Sequence, residues 1–320
     1  MKNKGIIILL IALAATIIVI VAWDFISKRP DKSHVNPYEL DIYEYKQIDD
    51  SSLIQYTEIK NIRPDSGTLR GIAYSDNKIF ILGNEFLQVI TTGGNEIYRI
   101  PLMDSPRCIT VSGKKIYIGY IDHVASYELN GRLIASWDTL SSKSVLTSLA
   151  VVNDQLFAAD AGNRRVLHYN TNGDLISQFE GKSDTGQLHG FIIPSPCFDL
   201  AINAFGELWV VNPGKHALEN YTYDGRLIGF WESASFNIEG FSGCCNPAQM
   251  AILPDGSFVT SEKGLVRIKV YKASGELLSV VAPTSSFANA FNAPDLAVTP
   301  EGDIYALDFD NSLIRVYRHN

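Results

Sequence analysis

Short apolar runs separated by turn-forming residues fill most of this chain, most clearly in residues 146–179, LTSLAVVNDQLFAADAGNRRVLHYNTNGDLISQF. This stretch divides at Asn153-Asp154, at Ala161-Gly162-Asn163 and at Asn172-Gly173 into four segments of strand length. Apolar segments joined by tight turns predict one antiparallel four-stranded sheet. The pattern recurs, with the second strand of successive units opening at Ile79, Ile116, Leu156, Leu208, Phe258 and Ile304. Each opening follows a turn: Asp76-Asn77, Ser112-Gly113, Asn153-Asp154, Phe205-Gly206, Asp255-Gly256 or Glu301-Gly302. Gly, Asn and Asp suit such turns because they tolerate positive φ. A sheet-sized unit repeated at intervals of roughly 40 to 50 residues predicts an all-β, six-bladed β-propeller.

The register within the units sharpens this. First strands align Ile72, Ile109, Leu149, Leu200, Met250 and Leu296, each followed by a small residue, Ala73, Thr110, Ala150, Ala201, Ala251 or Ala297. Side chains alternate faces along a strand, so the large residues wedge between blades and the small ones face a crowded axis. One place before the large residues, on that axial side, stand Gly71, Cys108, Ser148, Asp199, Gln249 and Asp295. Four places after each second-strand opening come Gly83, Tyr120, Asp160, Asn212, Glu262 and Asp308, so the first unit is the least typical. The sixth unit ends at Asn320 after its third strand, and LIQYTEIKNI at 53–62 is expected to supply the fourth and latch the ring. Without it the sheet keeps an open edge.

The segment ADAGNRRVLHYNTNG resembles an NHL repeat, and residues 49–320 resemble a six-bladed NHL-type propeller. FDLAINAFGELWVVNPGKHALENYTYDG and GCCNPAQMAILPDGSFVTSEKGLVRIKVY are similar to a group of bacterial, membrane-anchored NHL proteins with a GCCNP loop and no established activity. The resemblance implies a propeller outside the cytoplasm, behind an anchor.

Residues 5–23 are uncharged. As a helix they would span about 28 Å at 1.5 Å per residue, close to a hydrocarbon core of about 30 Å. Trp23-Asp24-Phe25 follows in place of a small-x-small cleavage site, which favours an uncleaved transmembrane signal anchor over a removed signal peptide. Residues 1–23 are therefore read as a plasma-membrane anchor and 24–48 as a tether, with single-pass topology. Lysines and arginines on both sides of the run leave its orientation undecided by charge.

The net charge of −8 hides an asymmetry: residues 1–32 hold five Lys/Arg against two Asp, leaving the remainder at about −11. Such an acidic domain argues against nucleic acid as a partner. Four cysteines are too few for a disulfide scaffold.

Links between first and second and between third and fourth strands share one face of a propeller; the other links share the opposite face. The second set is expected to be long, as in 180–197, 231–247 and 282–294, which makes that face the binding face. Arg107, Arg164, Arg165, His189, Lys215, His216 and Lys263 are candidates there for a small anionic ligand or a protein partner, with Glu262 among the acidic groups. Two plainer readings compete: the acidic residues hold turn N–H groups, and the basic ones are solvated charge. Asp199, Gln249 and Asp295 are candidate ligands for Ca²⁺ in the central channel, an oxygen-donor set, against pairing with Arg107 or a hydrated channel. Cys244-Cys245 is a candidate redox pair, expected to bridge in an oxidising compartment with Cys197 as a third participant; two packed, reduced thiols are the alternative. No nucleophile elbow, P-loop or HExxH stands in the sequence. A non-catalytic binding propeller is the leading expectation. A metal-dependent hydrolase or lyase of the six-bladed type, and a redox accessory of a membrane electron-transfer complex, are the alternatives.

Overall fold

A computed structural model describes residues 3–27, 51–64, 67–182, 190–287 and 290–320. The chain forms two compact units, 1–42 and 43–320. In the first, helix α1 (Asn3–Ser27) contains a stretch, Lys4–Asp24, that is long and apolar enough by composition to cross a membrane. From residue 28 onward the expected tether lies outside the described residues.

The second unit is six four-stranded antiparallel sheets. Strand β1 (Tyr56–Ile62) comes first. Blade one is β2 (Leu69–Ser75), β3 (Lys78–Gly83), β4 (Phe86–Thr91) and β5 (Glu96–Pro101); blade two is β6 (Cys108–Ser112), β7 (Lys115–Gly119), β8 (Val124–Glu128) and β9 (Leu133–Ser136). Blade three is β10 (Leu146–Val152), β11 (Gln155–Asp160), β12 (Arg165–Asn170) and β13 (Leu175–Phe179); blade four is β14 (Leu200–Ile202), β15 (Leu208–Asn212), β16 (Ala217–Tyr221) and β17 (Leu227–Glu232). Blade five is β18 (Gln249–Ile252), β19 (Phe258–Ser261), β20 (Ile268–Tyr271) and β21 (Leu277–Ala282). Blade six has β22 (Asp295–Val298), β23 (Ile304–Asp308) and β24 (Leu313–His319), and its fourth strand is β1.

Position in the blade explains the sequence pattern of each strand. Second strands such as β3 and β15 lie between neighbouring blades and are buried on both faces, hence their unbroken apolar runs. Fourth strands such as β5 and β9 lie on the rim and are largely exposed. Among the described residues each seam between blades holds its own hydrophobic cluster. The closing seam joins Ile62 to Ile72 and Ile79 of blade one and to Leu307 and Ile314 of blade six.

Closure follows the expectation. β1 pairs antiparallel with β24, from Tyr56 opposite His319 to Ile62 opposite Ile314, and Arg315 reaches Glu58 across the ladder at 3.1 Å. Ile62 also obeys a rule of the ring. An apolar side chain at or just past the end of a fourth strand packs over the third-to-fourth turn glycine of the next blade: Ile100 on Gly131, Trp137 on Gly173, Phe179 on Gly225, Trp231 on Gly275, and Ile62 on Gly94. A Cβ on Gly173 would lie 2.6 Å from the Trp137 ring, so these turns need glycine for close approach as well as for positive φ. Blade one's departure, Gly83 in place of an acid or amide, has a local cause: Phe86 folds its ring over that backbone, leaving no room for a Cβ.

Candidate functional site

One half of the expected loop geometry needs correction. The links from a fourth strand to the next blade are long where expected, at 180–199, 233–248 and 283–294. The second-to-third links, such as 84–85 and 213–216, are as short as the turns on the other face. Phe86 packing at Gly83 and the tight turn at Pro213–Lys215 close them. The loop face is therefore built mainly by the interblade links, with short second-to-third turns adding Lys263 and Asp310.

Those links surround a bowl of about 780 Å³ lined by residues entering every first strand, among them Arg70, Arg107, Thr147, Ser195 and Gln249, and by Lys263 from the second-to-third link of blade five. A narrower channel of about 300 Å³ continues beneath it between the six first strands, with Arg70 and Arg107 lining both spaces. Arg70 donates from Nε and Nη2 to Asn84 Oδ1 at 3.2 and 3.0 Å, so its charge meets a neutral amide. Partial burial and the nearby Arg107 charge push the Arg70 guanidinium below its usual range. Arg107 Nε is buried and has no hydrogen-bond partner among the described residues. The third cation of the bowl, Lys263, donates from Nζ to Ser195 Oγ at 2.9 Å and has no carboxylate partner among the described residues. The bowl's acid, Asp310, accepts from the Phe291 and Asn292 N–H groups, each at 2.8 Å, and from Asn292 Nδ2 at 2.7 Å. Burial alone would raise its carboxyl; those donors outweigh it and hold the group low.

Asp199, Gln249 and Asp295 all line the channel, and both carboxylates also bind backbone of the next blade. Asp199 turns into the seam between blades four and five, accepting from its neighbour Leu200 N at 2.8 Å and from Met250 N at 2.6 Å. Asp295 does the same in the closing seam, with Leu296 N at 2.9 Å and Ile72 N at 2.9 Å. Ser148 accepts from Leu200 N at 3.4 Å across the seam between blades three and four, and Cys108 joins the cluster between blades two and three. This register stitches first strands together. Burial pushes Asp199 up to about 6, against the pull of its Ser148, Met250 and Leu200 hydrogen bonds. Asp295 is pushed up to about 7 by burial and by the Asp199 charge. Both carboxylates accept backbone N–H bonds, and the described residues contain no group of three His, Cys, Asp or Glu side chains that could hold a metal ion.

The other candidates are dispersed. Glu262 is fully buried, paired with Arg267 Nη2 at 2.7 Å and Lys269 Nζ at 2.9 Å, and it faces no open space. Asp160 holds its turn through Val145 N and Asn163 N, while Arg165 donates to Asp160 and to Gln178. Arg164 is exposed and adopts positive φ. Lys215 meets Glu219 at 3.4 Å. His216 Nδ1 lies 2.8 Å from the Asn246 carbonyl, which makes it the donor and ties the blade-four turn to the cysteine loop. His189 lies outside the described residues. Cys244 and Cys245 are free thiols with sulfurs 3.0 Å apart. Of the named candidates, the bowl thus brings together Arg107, Gln249 and Lys263. It adds Arg70 and Ser195, which the sequence pattern did not single out. Arg70 was legible, because it precedes Gly71 as Arg107 precedes Cys108, the same register one blade on.

A second recess, of about 950 Å³, lies on the opposite face between Tyr56, Tyr74, Asp255 and Arg318. Its cations are already satisfied: Arg318 pairs with Asp303 at 2.6 Å, and Lys60 donates to the Thr92 and Gly93 carbonyls.

No protein-family model matches the sequence. No curated protein matches it either. Solved structures do. The chain is similar to the WD40 β-propeller domain of Doa1, with TM-score 0.56 and 16% identity over 80% of each chain. It is similar to a streptogramin B lyase, with TM-score 0.57 and 10% identity over 85% of this chain and 100% of the other. It is also similar to virginiamycin B lyase from Staphylococcus aureus, with TM-score 0.55 and 12% identity over 83% of this chain and 100% of the other. Identities this low carry the fold and nothing further: the chain is a β-propeller, built here of six blades.

Proposed function

We propose that this protein is a membrane-anchored, NHL-like propeller that binds a small anion in its loop-face bowl, outside the cytoplasm and without catalysis. The carrying observation is the pair Arg70 and Arg107, two guanidiniums lining both the bowl and the channel, the first turned to a neutral amide and the second with a buried Nε that has no acceptor among the described residues. Leaving a buried donor unmet costs roughly 1 to 3 kcal/mol, which an incoming carboxylate or phosphate oxygen would recover. Guanidinium suits such groups because it can donate two parallel hydrogen bonds. A domain otherwise acidic gathers these cations here. A metal-dependent hydrolase or lyase would need carboxylates free to ligate, and Asp199 and Asp295 are engaged by backbone N–H groups.

A thermal-shift panel on the full-length protein in detergent tests the anion. Succinate or inorganic phosphate is expected to raise Tm in a saturable way, and neutral succinamide is expected to leave it unchanged. Equal effects of succinate and succinamide would refute the reading. The anchor rests on the length and apolarity of Lys4–Asp24 and has its own test. The protein should stay with membranes through alkaline carbonate extraction and keep its N-terminus. A soluble form beginning near residue 24 would contradict it.

A further inference from the structure

The loop 242–248 is built against a lysine. Asn246 is buried, and its side-chain amide grips the backbone of Lys263 from both sides: Oδ1 accepts the Lys263 N–H at 2.9 Å, and Nδ2 donates to the Lys263 carbonyl at 3.0 Å. Nδ2 also donates to the Ser242 carbonyl at 2.7 Å, closing the loop on itself. This brackets Cys244 and Cys245 and fixes Lys263 beside them. The two thiols differ sharply in access: Cys244 is exposed, whereas Cys245 is 1% exposed. Ser195, which accepts from Lys263 Nζ, donates to Cys197 Sγ at 3.5 Å. Ser195 thus links Lys263 to Cys197 at the rim of the bowl, and the exposed Cys244 sulfur lies 3.0 Å from the buried Cys245 sulfur.

We propose that Cys244 and Cys245 form a thiol–disulfide exchange site, in which exposed Cys244 takes an incoming disulfide and buried Cys245, in the loop that Asn246 clamps to Lys263, resolves it. The proposal goes beyond anion binding and does not depend on it. Cys245 first releases its proton to solvent; the Cys244 thiol then passes its proton to the Cys245 thiolate as it attacks a disulfide RSSR, the Cys244–SR bond forms and RS⁻ leaves. RS⁻ takes the proton from Cys245. The Cys245 thiolate attacks the Cys244 sulfur, forming the vicinal disulfide and expelling the second RS⁻, which is protonated from solvent. In sum RSSR and two thiols give one protein disulfide and two RSH, with two electrons moved from the cysteines to the incoming disulfide. Burial alone would raise the Cys245 thiol; the Cys244, Ser195 and Lys263 groups outweigh it and pull the thiol below its usual range, while the Cys245 sulfur pushes the Cys244 thiol up. That order suits a resolving thiolate, since the thiolate is the attacking species. Neighbouring Cα atoms stand about 3.8 Å apart, short of the usual disulfide span of about 4.4 to 6.8 Å, so the product is readily reduced again, as exchange requires. Cys108 is an internal control, since burial in its seam pushes its thiol well up.

The test uses reduced full-length protein in detergent, mixed with glutathione disulfide, quenched with N-ethylmaleimide and read by peptide mass. The expected wild-type product is a peptide spanning 244–245 two mass units light, with two glutathiones released per protein and Cys108 unmodified by glutathione. Cys245→Ser should trap glutathione on Cys244. Lys263→Met should slow resolution at least about tenfold at neutral pH and move its pH profile upward, with Lys263→Arg restoring most of the rate. A structural role for Lys263 would lower Tm in Lys263→Met without moving that profile. The proposal is overturned if both thiols of the wild-type protein alkylate fully after exposure to the disulfide. It is equally overturned if Cys245→Ser traps no glutathione, or if Cys197→Ser abolishes the reaction.

Discussion

Asp199 is a buried and Asp295 a partly buried carboxylate, each answered by a backbone N–H group of the next blade. Those hydrogen bonds favour the charged form, but burial outweighs them, so folded values of about 6 and about 7 stand above the unfolded value of about 3.9. The folded state therefore holds protons that the unfolded state has released. The contribution of these groups to stability is full below about pH 4 and is lost as pH rises through 6 and 7. A tenfold difference in proton affinity between the two states corresponds to about 1.4 kcal/mol, so each carboxyl is worth a few kcal/mol at most. His168 works in the opposite direction, since burial lowers its pKa and acid must charge it. Comparison with a variant separates the two. The urea midpoint of the wild-type protein, relative to Asp295→Asn, should fall between pH 5 and pH 8. A difference between the two proteins that stays constant across that window would show that Asp295 does not titrate there.

Strand β1 decides whether the ring is closed. It supplies Tyr56 and Ile62, both buried, to two different seams, and Glu58 to Arg315. Burying each apolar side chain stabilises by roughly 1.5 to 3 kcal/mol, and losing the strand also bares the backbone edge of β24. Deletion of residues 1–62 is expected to give an aggregating, non-cooperative domain, and Ile62→Ala in the full chain a loss of about 2 to 5 kcal/mol. Cooperative urea unfolding of the deleted form with an unchanged midpoint would show that closure does not need β1.

For the whole molecule, the repeat was legible because each unit solves the same packing problem. Apolar second strands, turn glycines and small first-strand residues must recur wherever blades meet, so blade number, strand register and the borrowed fourth strand could all be read from the sequence. The loop face was legible only in part, because link length follows local packing such as Phe86 over Gly83. The site was less legible still. Whether a charge is free depends on partners remote in the chain: Glu262 lost its access to Arg267 and Lys269, and Asp199 and Asp295, which line the channel, are bound to backbone N–H groups of neighbouring strands. Arg70 shares its register with Arg107, yet only the folded ring shows that both meet the same bowl.

That bowl carries the account's central claim, that two guanidiniums without an ion pair among the described residues make an anion site. Calorimetric titration of succinate into the full-length protein, beside an Arg70→Ala/Arg107→Ala double variant of equal Tm, tests it most directly. The account predicts saturable, salt-sensitive binding to the wild-type protein and at least a tenfold weaker Kd in the variant, about 1.4 kcal/mol. The same Kd in both proteins would contradict it.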